Sequence, residues 1–141
     1  MISLDISRLV EAELPDNIFL RAAQACGDTM GTNLPLVIGL TLTDDAGIRQ
    51  INHDWRGLDQ ATDVLSFPSL SLSPGRLFRQ DLPDLHQAWD SDSGTYFLGD
   101  IIINVAQARR QAAAYRHSLF REMTYLFVHG VFHLFGYDHM T

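Results

Sequence analysis

The chain has 141 residues and 15.8 kDa, 46% of them hydrophobic and 19% charged, which suffices for one ordinary core, so a single domain over residues 1–141 is expected. A net charge of −7, from 10 arginines and 17 acidic residues, excludes a protein that coats nucleic acid by bulk electrostatics. No stretch approaches the roughly 18 apolar residues of a membrane span, the segment MISLDISRLVEAELPD lacks the pattern of an export signal, and the lone Cys26 excludes an intrachain disulfide, so a cytoplasmic protein with no membrane association is expected.

Ile2, Leu4 and Ile6 alternate with polar residues, as in a half-buried strand. From Pro15 the apolar positions Ile18, Phe19, Ala22, Ala23 and Cys26 take helical spacing, with Gly27 predicted to close the helix. Leu36 to Leu42 reads as a strand. Thr43 or Asp44 then caps a helix whose apolar face is Ile48, Ile51 and Trp55. Thr62 to Pro68, TDVLSFP, is prone to strand and stopped by its proline. Residues 69–95 are polar and irregular, a long loop suggesting a lid, an insert or an element the pattern hides. YFLGDIIIN resumes strand character, and Val105, Ala108, Ala112 and Tyr115 mark the next helix. Ser118 caps a last one, LFREMTYLFVHGVFHLFG, apolar on nearly every side and therefore expected to be buried. Uneven connections between interspersed strands and helices point to an α+β fold: a small mixed sheet packed with helices, the central buried one carrying two metal-binding histidines.

The segment HGVFHLFGYDH spaces His129, His133 and His139 as H-x3-H-x5-H. Positions i and i+4 of a helix share a face, so His129 and His133 present both imidazoles one turn apart. Gly136 lets the chain leave the helix and bring His139 to the same point from outside. Three neutral imidazoles with an open fourth position describe a catalytic zinc site, able to lower the pKa of bound water toward about 7 and to polarise a phosphoryl or carbonyl oxygen. Zinc is the expected metal, with nickel or another first-row cation equally compatible with nitrogen ligands. The spacing is that of HExxHxxGxxH metalloproteases, but Gly130 occupies the position of their general base. Glu122 lies two turns before His129 and is no replacement.

Arg56, at the end of the second predicted helix, either supports that helix dipole or binds a phosphodiester through its two-pronged guanidinium. Asp63 and Asp100, beside apolar strands, either orient a metal-bound imidazole or satisfy nearby backbone amides. Asp138 reads as a turn residue; His53, His86 and His117 lack spacing to any partner. Residues 1–100 sum to −9 and residues 101–141 to +2, leaving the C-terminal part locally basic.

HGVFHLFGYDH resembles the HGxLHLxGYDH signature of the YbeY-type rRNA maturation endoribonucleases of bacteria, RGLDQATDVLSFP resembles their second signature, and LGDI, Leu98 to Ile101, a third. This resemblance, from about Leu36 to His139, implies a single-strand-specific, metal-dependent endoribonuclease acting in 16S rRNA 3′-end maturation and ribosome quality control. It further implies His129, His133 and His139 as ligands of one zinc ion, Arg56 as a catalytic residue, and the 16S rRNA precursor and the ribosomal subunit or its proteins as partners. Phe132 stands where the signature has Leu, the 69–95 segment is longer than usual, and the further helix that follows the last histidine in relatives is expected to be missing. Water attack on phosphorus and attack by the 2′-OH both remain open. The competing readings are a ribosome-binding module with a structural metal and a zincin-like protease.

Overall fold

The computed structural model describes residues 1–70 and 82–137. The elements are β1 (Ile2–Arg8), α1 (Asp16–Met30), β2 (Leu36–Thr43), α2 (Asp45–Arg56), β3 (Val64–Pro68), β4 (Trp89–Asp90), β5 (Thr95–Asn104), α3 (Val105–Tyr115) and α4 (Leu119–Leu134), with a 3₁₀ turn at Leu85–Ala88. The strands form one sheet in the order β1-β2-β5-β3, while β4 pairs with the start of β5. β1, β2 and β5 are parallel and β3 runs antiparallel to β5, giving the mixed sheet of an α+β fold. No helix among the described residues is long and apolar enough to cross a membrane.

Alternation along the strands divides the apolar residues between two faces. Leu36, Ile38, Leu40 and Leu42 of β2 join Ile101 and Ile103 of β5 beneath α1 and α4, where Phe19 meets Phe127 edge-on at 5.4 Å. Each such fully buried side chain contributes about 1.5–3 kcal/mol. Among the described residues the opposite face is covered by α2, through Ile48 and Ile51 against Leu65, Phe67 and Ile102.

A β-bulge opposite Val37 and Ile38 leaves Leu98 as an extra residue in β5, and Gly99 absorbs the irregularity at φ 147°. A side chain at Gly99 would collide with the Phe67 carbonyl and come within 2.7 Å of Leu134, so this glycine of the LGDI segment permits close approach of β3 and α4.

The structure corrects several expectations. α1 does not end at Gly27 but continues to Met30 and closes at Gly31, whose φ is 68°. Gly27 lies inside the helix, where an added Cβ would sit 3.0 Å from Ile2, so its role is close packing. Of the 69–95 segment, residues 71–81 lie outside the described residues, and the rest is not wholly irregular: Leu82, Leu85 and Ala88 are buried, the last two on the 3₁₀ turn, and the Trp89 ring meets that of Tyr96 at 4.8 Å and 59° as β4 pairs with β5. α4 is not buried all round, because the sheet, α1 and α3 cover it in part and leave Phe120 and Tyr125 exposed. Trp55, expected on the buried face of α2, is 76% exposed. It stands at the end of the apolar stripe of α2, its ring 6.4 Å from that of Phe67 on β3, the edge strand among the described residues.

Candidate functional site

α4 starts where the Ser118 side chain accepts a hydrogen bond from the Arg121 amide at 3.1 Å. It ends in a Schellman-type closure: Tyr137 N donates to Phe132 O at 3.1 Å and Gly136 N to His133 O at 3.0 Å, with Gly136 at φ 102°. The chain thus leaves the helix at the predicted glycine. Between these ends His129 and His133 lie one turn apart, both half-buried.

The two histidines line a cleft of about 390 Å³ with Trp55, Arg56, Ser66 and Phe67. Its floor is the outer edge of β3, with the C-terminus of α2 on one side and α4 on the other. Arg56 is the last residue of α2, followed by Gly57 in left-handed geometry at φ 70°. The loop beyond is tied back to the helix by Arg49, which donates to both Asp59 carboxylate oxygens at 2.7 and 3.1 Å, and by buried Asn52, whose Nδ2 donates to Gln60 O at 2.9 Å. These bonds fix where α2 stops and hence where Arg56 stands. Arg8, Arg49, Arg109 and Arg110 each neutralise a carboxylate, whereas Arg56 has no ion pair among the described residues and offers its charge to the cleft.

Ser66 lies within the TDVLSFP segment, where the sequence pattern assigns it no role. It faces α4 because it pairs with Ile101, and its Oγ lies 2.8 Å from His133 Nδ1. With Nδ1 protonated, the hydroxyl accepts that hydrogen bond and the imidazole lone pair lies on Nε2. The available signal was a hydroxyl at an alternating position that is otherwise apolar, in β3.

The remaining candidates are structural. Asp63 accepts from the Val64 amide at 2.8 Å, the strand-end alternative. Asp100 leans over Gly39 on the sheet face opposite α4; burial, reinforced by the nearby Asp5 charge, raises its carboxyl pKa above the usual range. It therefore does not orient the histidines. Buried Glu122 accepts from Gln111 at 2.7 Å and bonds His117 Nε2 at 2.7 Å, locking the corner between α3 and α4, so His117 does have a partner. Burial pushes the Cys26 thiol pKa up, which makes it unreactive. His139 and Asp138 lie outside the described residues.

The matching family model, that of Endoribonuclease YbeY, covers residues 6–141. The chain belongs to the YbeY family. It is 40% identical over 121 residues to Endoribonuclease YbeY of Acetivibrio thermocellus, covering 86% of this chain and 72% of that one. It is 50% identical over 103 residues to the Desulfitobacterium hafniense protein of the same name, covering 73% and 59%. The chain therefore spans between 59% and 72% of the length of these two relatives. The solution structure of TM1509 from Thermotoga maritima shares the fold, with a TM-score of 0.54, 21% identity, and coverage of 99% of this chain and 75% of that one.

The residues of this YbeY-family cleft fit a first-row divalent cation. Two imidazoles reach one cleft from consecutive turns of a rigid helix, and the second nitrogen of one is held by a hydroxyl, as ligating histidines require. Among the described residues no group of three His, Cys, Asp or Glu side chains lies close enough to hold a metal, so His129 and His133 alone would not complete such a site.

Gly130 explains why a protease base is out of place here. It is buried, and an added Cβ would lie 3.0–3.2 Å from three atoms of Ile101, so position 130 points into the sheet and away from the cleft. Gly130→Glu is expected to destabilise the fold by roughly 3 kcal/mol or more, through overpacking and an unpaired buried carboxylate, and to confer no peptidase activity. Thermal melting and a casein digest check this; a stable variant that cleaves peptide would contradict it.

Proposed function

We propose that this chain is a metal-dependent endoribonuclease that cuts single-stranded RNA, with His129, His133 and His139 holding one zinc or other first-row cation and Arg56 acting on the scissile phosphate. The observation that carries the reading is the convergence of Arg56, from the end of α2, with His129 and His133, from α4, in one cleft. The name shared by its relatives in the family supports the reaction class.

The chemistry follows from the groups present. A cation bound by the histidines supplies Lewis-acid polarisation of a phosphoryl oxygen and a nucleophile at neutral pH. The Arg56 guanidinium donates parallel hydrogen bonds to the non-bridging oxygens, orients phosphorus toward the histidines and stabilises charge that develops there. His129 and His133 are held by the helix, so little reorganisation accompanies reaction. Ser66 keeps the His133 ring in one orientation. A flexible, unpaired strand suits a cleft bounded by two helices, because its backbone can bend to the floor while a duplex is too stiff and wide.

The family resemblance supports the 16S rRNA precursor as substrate, with roles in 3′-end maturation and ribosome quality control. The net charge of −7 favours delivery by a ribosomal partner over indiscriminate RNA capture. Cleavage of a short labelled single-stranded RNA by the metal-loaded protein tests the reaction. The wild type is expected to cut, a chelator to stop it, and the same sequence in a duplex to persist. Equal cutting by identically prepared His129→Ala would overturn the assignment.

Ser66→Ala is expected to weaken metal affinity by about 10- to 100-fold, the usual cost of losing the partner that orients a ligating histidine. Titration against a chromogenic chelator reads this directly, and unchanged affinity would remove Ser66 from the site.

A further inference from the structure

We propose that Trp55 and Phe67 form a stacking platform for one unpaired nucleobase of the RNA, beside the phosphate held at Arg56. The inference rests on the endoribonuclease reading and specifies what else in that cleft recognises substrate.

Three observations lead to it. Trp55 continues the apolar stripe of α2 into its last turn but is 76% exposed. Its indole meets the Phe67 ring at 6.4 Å and 53°, so the two rings form an open angle of aromatic surface at the cleft rim. Finally, both rings line the same cleft as Arg56, His129 and His133, and Trp55 immediately precedes Arg56 in the chain.

A base is the occupant that this arrangement suits. Every nucleobase has a flat π-face, and an adjacent cation for the phosphate with a ring for the base is the pattern by which single strands are held without sequence preference. Paired bases have both faces covered by their neighbours, so the platform engages only unpaired ones and contributes to strand selectivity.

The test uses the metal-loaded full chain and a short single-stranded oligoribonucleotide with 2′-O-methyl groups and phosphorothioate linkages, which resists turnover. In a Trp89→Phe background, Trp55 fluorescence is expected to be quenched saturably by the single strand and not by its duplex. Trp55→Ala should raise Kd by roughly 10- to 100-fold, in line with the loss of one stacked base. Trp55→Phe should stay within about threefold of wild type by the same reasoning. Metal affinity should be unchanged in both. An abasic oligomer should bind wild type and Trp55→Ala alike.

Equal binding of the base-bearing strand by wild type and Trp55→Ala would overturn the platform while leaving the nuclease intact. So would a loss that persists with the abasic oligomer. Failure of the wild type to bind or cut any RNA, or quenching by an extended peptide alone, would overturn the endoribonuclease reading itself.

Discussion

His133→Ala is expected to lower the affinity for zinc, or for whichever first-row cation the site prefers, by well over 100-fold and to abolish RNA cleavage. Loss of the group that merely orients a ligating imidazole costs about 10- to 100-fold, and under the proposed ligand set loss of the imidazole itself would remove a bond to the cation and leave too few donors. The fold should survive. Position 133 is half-buried on the cleft side of α4, alanine is the best helix former, and the Phe19–Phe127 core contact is untouched. Equilibrium competition with a chromogenic chelator, with circular dichroism of the same samples, separates the two effects. His129→Ala should behave alike. A folded variant that keeps wild-type metal affinity would refute the ligand assignment.

Arg56→Ala should show the converse pattern. Metal affinity should stay within about twofold of wild type while the cleavage rate falls by roughly 10²- to 10³-fold, the usual cost of removing one preorganised donor that faces developing charge. Arg56 is exposed, is the last residue of α2 and has no ion pair among the described residues, so its truncation should shift stability by no more than about 0.5 kcal/mol. Arg56→Lys should recover only part of the rate, because an ammonium cannot make the paired, coplanar hydrogen bonds of a guanidinium. Single-turnover kinetics on the labelled strand measure this. Unimpaired cleavage by Arg56→Ala would dismiss it from the reaction and leave the histidines as the whole site.

Much of the fold was legible because local patterns and tertiary needs agree. Alternation in β1 and β2, the caps at Asp44 and Ser118, and the glycine exit at Gly136 are short-range physics that any chain with those residues obeys. Errors arose where long-range packing overrode a local signal. Gly27 looks like a helix stop but exists to let Ile2 approach, and the spaced Leu85 and Ala88 were hidden among turn-forming residues. Asp63 and Asp100 offered two roles each, and only their placement, at a strand end and on the far face of the sheet, decided between them.

The sequence by itself determined the family, the α+β class and the pairing of His129 with His133, since motif identity and helical periodicity are properties of neighbouring residues. Only the tertiary structure decided that Arg56 shares their cleft, that Ser66 holds His133, and that Trp55 stands in solvent beside them. These residues come from α2, β3 and α4, and what brings them together is the position of β3 at the edge of the sheet with a helix on either side. No local pattern along the chain encodes which strand ends a sheet.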